Sequence, residues 1–315
     1  MVEYDIREEL FNRDFLQGFL NEKMIKGLRI SPLIPKQELK HDTFTWFEYD
    51  KSEEEMISSG SMHKPRLIAE GAVLEEIRMD GFSPKTGRVS KRGYQFTLSE
   101  NYMERDPTEA RSILKKMGNL AYGLGRWVEE INWTGLKASA IAGGVTSTTA
   151  KPLIGDNGEP EKALIQYETD YDLDDFSQEL NTLIYHKNDL AGLRMLLNDH
   201  EVVTQNRLVE GWKNGRAFDY LEITHMRGSM FQNQGEILGF DRTQEFATAY
   251  YVKGKRGYSP KVKTGMEHFA PIINVTVQEP ESYDVYGEYT IRMFAGAGIS
   301  VESPQMLFYK NGLTA

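Results

Sequence analysis

The residues of this chain that could do chemistry are few, and their spacing is wrong for it. There is no cysteine, which removes disulfide scaffolds, thiol nucleophiles and thiolate-based zinc sites together. Six histidines (His41, His63, His186, His200, His225 and His268) are scattered, with no pair at metal-ligand spacing on one helix face. Asp170, Asp172 and Asp174 have the spacing that opens a calcium loop. Asp175 then stands where the sharp turn needs glycine, and Asn181 where a bidentate glutamate should close the site. Gly123-Leu124-Gly125 begins like a dinucleotide loop, but Val128 takes the third glycine position and the stretch lies inside a helical pattern. Ser61 and Ser229 each follow a glycine without forming a nucleophile elbow. No catalytic residue, cofactor-binding residue or metal ligand is expected, no cofactor is implied, and the chain does not read as an enzyme.

The bulk numbers narrow the classes that remain. In 315 residues there are 47 acidic and 37 basic side chains, a formal net charge of −10. Tight duplex binding draws most of its affinity from basic residues on phosphates, so a dedicated nucleic-acid binder is disfavoured, while a surface lying near DNA is not. Hydrophobic residues make up 40%, a folding composition slightly short of core formers, which suits a subunit that completes its burial against neighbours. No apolar run approaches the roughly 20 residues of a membrane span, and no membrane partner is expected.

The elements that would position any site come in an unusual order. Residues 7–24 pattern as an amphipathic helix, with Phe11, Phe15, Leu16, Phe19 and Leu20 on one stripe. Ser31-Pro32 and Ile34-Pro35 then predict extended chain, and an acidic connector comes next around Glu53, Glu54 and Glu55. A long two-armed ribbon is expected after it. Its first arm covers 66–82, its tip 83–88 with Pro84 and Gly87, and its second arm 89–99, where Tyr94, Phe96 and Leu98 alternate with polar residues. Its charges segregate. Glu70, Glu75, Glu76 and Asp80 stand on the first arm, and Lys85, Arg88, Lys91 and Arg92 at and beyond the tip. So long a hairpin is unstable alone, and these eight residues are the candidates for contact with a neighbouring subunit.

Beyond the ribbon, Asp106 as N-cap and Pro107 at the first helical position open the clearest helix, expected to end near Ile131. Gly118, Gly123 and Gly125 within it predict bending or the close approach of another backbone. A small, polar loop is expected over 135–158, a helix over 174–185, and strands over 193–197, 218–223 and 248–252. Further strands are expected over 272–277 and 283–294, with Ala295-Gly296-Ala297-Gly298 as a turn.

This order resembles the Hong Kong 97-type fold, that of the major capsid proteins of tailed bacterial and archaeal viruses. The likeness rests on three stretches: Ile68 to Leu98 as the extended loop, Asp106 to Ile131 as the spine helix, and Tyr283 to Phe308 as closing strands. It implies an α+β fold with an N-terminal arm and connector (1–65), an extended hairpin loop (66–99), a peripheral domain with the spine helix (100–152), an axial domain (153–251) and closing strands of the peripheral domain (252–315). The implied function is self-assembly, as hexamers and pentamers, into an icosahedral virion shell made in the host cytoplasm. That shell would enclose double-stranded DNA and contact it weakly. Separate scaffolding, portal and decoration proteins are the further partners implied, and a fused scaffold and a lysine–asparagine cross-link are not expected. An encapsulin-type compartment shell is the alternative within the fold, and an enzyme with an unrecognised site the alternative outside it.

Overall fold

The structure is a computed structural model that describes residues 12–39, 41–47, 84–99, 107–147, 153–154, 158–171, 179–199, 217–252, 273–278 and 288–312. The described residues fall into two compact units. One lies within Met1–Phe44, Gly87–Asn132 and Ala249–Ile299, the other within Thr45–Thr86, Trp133–Thr248 and Ser300–Ala315. The acidic connector, the first arm of the ribbon and Asp106 lie outside the described residues.

The first unit is built on helix α1 (Arg13–Ile25), the first part of helix α2 (Pro107–Gly143) and a sheet. Asn12 caps α1, its side chain accepting from the Asp14 and Phe15 amides at 3.0 and 3.2 Å. The expected stripe is buried: Leu16, Leu20 and Met24 are inaccessible, with Phe15 and Phe19 packed beside them. They meet Met117, Ala121 and Leu124 of α2, and Ile273, Val275, Ile291 and Met293 of the sheet. Of the three glycines singled out in the sequence, Gly125 serves the close approach of backbone and Gly118 that of a side chain. A Cβ on Gly125 would collide with the Met24 carbonyl, and one on Gly118 would press on Phe19 at 3.3 Å, whereas Gly123 faces open space.

The sheet runs β1 (Lys36–Leu39), β10 (Ala247–Val252), β12 (Glu288–Val301), β11 (Ile273–Gln278), and β4 (Ser90–Ser99) also pairs with β12. β1 is parallel to β10, and β11 and β4 are antiparallel to β12. Strand β2 (Thr43–Phe47) pairs with β3 (Pro84–Arg88) in a separate two-stranded sheet.

One buried carboxylate fastens the N-terminal segment to α2. Glu129 is inaccessible, and it accepts the amides of Arg29 (3.1 Å), Ile30 (2.9 Å) and Ser31 (3.2 Å) and the Ser31 hydroxyl (2.8 Å). These donors lead into a tight 3₁₀ turn, Ser31–Leu33, where extended chain was expected. Pro32 is compatible with the turn because amides in a first turn lack intrahelical partners anyway. Asn132, one helical turn after Glu129, donates to the Ser31 hydroxyl at 2.8 Å.

The second unit has a six-stranded sheet in the order β5 (Val145–Thr146), β13 (Leu307–Asn311), β9 (Glu236–Phe240), β6 (Thr182–Tyr185), β8 (Ile223–Arg227), β7 (Ala217–Tyr220). Helices α3 (Pro160–Tyr171) and α4 (Lys187–Asp199) accompany it, and Tyr167, Leu183, Leu193 and Phe308 lie in its core. Glu236, 3% exposed, receives Lys137, the Asn233 amide and side chain, and the Tyr309 hydroxyl. Burial pushes its carboxyl up, but the bonds from Lys137 and Asn233 prevail and hold it below its ordinary value.

Several expectations are corrected. The spine helix does not stop at Ile131. It continues for 37 residues, about 55 Å at 1.5 Å per residue, because Trp133, Leu136 and Ala140 extend the buried stripe. Residues 182–185, expected to be helical, form a wholly buried strand, and 193–197, expected to be a strand, lie in α4. Short apolar runs such as Thr182–Tyr185 carry no period that separates helix from strand. The expected turn at 295–298 is continuous strand, and the expected tip at 83–88 is strand β3 from Pro84 onward. Strand β13 pairs with β9 and β5 in the second unit.

The buried groups of each unit make one prediction apiece. Glu129→Ala leaves three amides and a hydroxyl without their acceptor and should lower the unfolding free energy by about 3 kcal/mol or more, read by urea denaturation. Glu129→Gln, which keeps one acceptor oxygen, should lose less. In the second unit, His225 is fully buried between Phe218 and Tyr185. The Tyr220 carbonyl at 3.3 Å can only accept, so Nε2 donates to it and Nδ1 accepts from the Tyr185 hydroxyl at 2.9 Å. Burial lowers this imidazole to about 4 against the pull of the Tyr220 carbonyl and Asp219, so the fold keeps it neutral and loses stability as pH falls from 6.5 to 4, where the unfolded chain takes up the proton. The loss amounts to about 3 kcal/mol across that window. The stability gap between wild type and His225→Phe should therefore shrink as pH is lowered. A constant gap in urea midpoints would contradict the assignment.

Candidate functional site

The four basic candidate residues lie where β3 passes into β4. Val89, between the two strands, is 3% exposed, and its amide donates to the Asp42 carbonyl at 2.7 Å. Phe44 lies beside it, stacked on Tyr250 with ring centroids 4.0 Å apart. Glycines make the room. A Cβ on Gly87 would fall 2.5 Å from the Phe44 ring, one on Gly298 2.9 Å from it, and one on Gly296 3.1 Å from Val89. Gly296 and Gly298 are two apart on one strand and share a face. The glycine run expected to turn the chain instead forms a floor for Phe44 and Val89.

From this root β4 runs antiparallel to β12 over ten residue pairs, from Ser90↔Ala297 to Ser99↔Glu288. Phe96 and Leu98 pack against the first unit's core, as their alternation predicts, while Tyr94 on the same face is 42% exposed. The second arm of the ribbon is thus hydrogen-bonded into the subunit's own sheet, yet along Ser90–Leu98 only Phe96 and Leu98 are half-buried and the other side chains are exposed. Gly93 sits so close to β12 that a Cβ there would meet the Met293 carbonyl at 2.5 Å.

The four basic candidates are all exposed on these strands. Lys91 bonds Asp42 at 2.5 Å, and the Arg92 guanidinium lies 5.2 Å from the Trp127 ring centre. On β3, Lys85 has a partner within the chain as well, and Arg88 lies close enough to act on Asp42. Asp42 is held below the usual carboxylate range by its hydrogen bond to Lys91, helped by the charges of Lys91, Arg88 and His41. Glu70, Glu75, Glu76 and Asp80 lie outside the described residues. Sequence reading missed Asp42 and Phe44. The detectable signal was the glycine pair at strand spacing, which marks a place where large side chains cross a strand. Among the described residues, no group of three or more histidine, aspartate or glutamate side chains could hold a metal ion, and no helix is long and apolar enough to cross a membrane.

These contacts yield a prediction. Reversing Lys91 or Arg92 to glutamate should lower the melting temperature of the subunit, because each leaves an internal partner. Calorimetry of the two variants against wild type checks it.

No protein-family model matches the chain, and no curated protein matches it in sequence. Solved structures do match. The capsid of cyanophage P-SCSP1u aligns over 91% of this chain and 89% of its own, at 9% identity and TM-score 0.55. The SrpI encapsulin of Synechococcus elongatus PCC 7942 aligns over 91% and 88%, at 10% identity and TM-score 0.53. The capsid protein of an empty GTA particle aligns over 92% and 90%, at 11% identity and TM-score 0.53. At such identities the likeness is one of backbone alone, yet it spans nine-tenths of the chain and both units. The chain has the Hong Kong 97-type α+β capsid fold.

Proposed function

We propose that this chain is a major capsid protein that self-assembles, as hexamers and pentamers, into an icosahedral virion shell around packaged double-stranded DNA. The observation that carries the reading is the extent of the fold match. Phage and gene-transfer-particle capsid structures align over more than nine-tenths of the chain. The net charge of −10 agrees with a wall that does not grip the genome. Lys85, Arg88, Lys91 and Arg92 are proposed as the basic contacts to a neighbouring subunit, with Glu70, Glu75, Glu76 and Asp80 as acidic partners. Separate scaffolding, portal and decoration proteins complete the proposed assembly.

A second reading has its own support, since the encapsulin matches with the same TM-score as the gene-transfer-particle capsid. It makes the chain a compartment shell that encloses protein cargo. Electron microscopy of the purified chain should show closed particles; a defined monomer would overturn both readings. Nuclease treatment of particles from the natural source, then extraction, separates them. Protected DNA supports the capsid, and particles with protein cargo and no DNA support the compartment. Reversing Lys85 and Arg88 to glutamate should cut particle yield several-fold while the subunit stays folded, because symmetry repeats a small loss at every interface. Normal yield would remove these two residues from the contact.

A further inference from the structure

Between Ala110 and Val128, helix α2 carries the basic side chains Arg111, Lys115, Lys116 and Arg126 and no acidic one, in a chain with 47 acidic and 37 basic residues. The helical period brings Arg111, Lys115, Asn119, Tyr122 and Arg126 onto one face, opposite the buried stripe of Met117, Ala121, Leu124 and Val128. All five are exposed, and Lys116 is exposed beside Lys115. Arg111, Lys115 and Lys116 make no ion pair among the described residues, while Arg126 also has a contact within the chain. Helix α1, in the same unit, adds to the border of this face. Lys23 is half-buried over the Phe19 ring at 5.2 Å and lies beside Gly118, where a Cβ would meet its Cγ at 3.4 Å. Lys26 is offset by Glu22 at 2.7 Å. A Cβ on Gly123, next to Tyr122, would meet nothing within 4 Å, so no packing among the described residues accounts for the side chain missing there.

We propose that this face of α2 is a contact surface for the phosphate backbone of duplex DNA, the place where the shell wall touches its packaged genome. The inference rests on the proposed capsid function and names the surface that function would use. Every side chain of the stripe, arginine, lysine, asparagine and tyrosine, is of a type that donates to phosphate oxygens. From Arg111 to Arg126 the helix runs about 22 Å at 1.5 Å per residue, roughly two-thirds of a duplex turn of about 34 Å. The helix holds these charges in a fixed line, which suits a stiff polyanion and gives a flexible acidic peptide no advantage. Tyr122 is the one ring on the stripe, and no aliphatic side chain accompanies it. The face therefore lacks both the packed anchors of a protein interface and the apolar side of a membrane-surface helix. The contact is weak. A few charges on a chain of net charge −10 attract phosphates only at short range, since the screening length at physiological salt is about 8 Å. Such a surface positions DNA without gripping it.

The test is fluorescence anisotropy of a labelled duplex of about 25 base pairs with the purified full-length chain, taken as subunits free of particles, across a series of salt concentrations. Wild type should bind weakly and lose affinity as salt rises. Each phosphate contact contributes about −0.9 to the slope of log affinity against log salt. Arg111→Gln combined with Lys115→Gln should therefore make the slope shallower by about 1.8 and weaken binding about tenfold at low salt, with the melting temperature unchanged. Lys187→Gln, an exposed change on α4, should alter neither. Absence of salt-dependent binding by wild type, or an unchanged slope in the double variant, overturns the proposal. So does a polyglutamate of equal charge that competes as well as unlabelled duplex, which would assign the face to an acidic protein. Nuclease protection by particles is measured independently, so failure here removes this contact and leaves the shell function standing.

Discussion

Glu129 fixes the first unit through a single constraint. A buried carboxylate is costly unless its lone pairs are filled, and here three successive amides and a hydroxyl from residues 29–31 fill them. The chain must therefore turn tightly at Ser31 over one place on α2. That turn sets the direction of the next strand. β1 runs parallel to β10 with Lys36 opposite Ala249, and Phe44 arrives over the glycine floor of β12. Val89, where β4 begins, packs into the same place.

Backbone proximity explains the glycines better than flexibility does. Gly27 and Gly125 allow the end of α1 to press on α2, and Gly93 allows β4 to lie hard against β12. At these positions a methyl group would meet a carbonyl or another backbone atom, which cannot swing aside as a side chain can. Gly87 and Gly298 are filled by the ring of Phe44, whose stacking on Tyr250 leaves it little freedom.

How much of this is legible in the sequence depends on whether an element's signal is local. The stripes of α1 and α2, the proline start of α2 and the alternation of Phe96 and Leu98 are local patterns, and each appears in the structure. The end of α2 is hard to read because 135–144 is rich in small residues. Alanines there favour helix, and Trp133, Leu136 and Ala140 carry the buried stripe past Gly135. The strand at Thr182–Tyr185 is buried on both faces, so it has no alternation to read. The glycine run of β12 reads as a turn because its reason lies in Phe44 and Val89, more than two hundred residues earlier in the chain. The candidate basic residues are visible as charges. The contacts of Lys91 and Arg92 depend on Asp42 and Trp127, and no spacing rule links these to the loop.

On the proposed shell function a subunit must be both folded and ready to assemble, and the charges around Val89 would then serve both ends. Lys91 bonds Asp42 and Arg92 lies over Trp127, while on β3 Lys85 has a partner of its own and Arg88 acts on Asp42. All four are exposed, and an exposed ion pair contributes little by itself. Val89 among them is buried and hydrogen-bonded through its own backbone, and Phe44 is buried beside it. In a shell, a weak contact repeated by symmetry would count only if each copy presented it at the same angle. The packing of Val89 and Phe44, more than any charge pair, would make that angle a property of the folded chain.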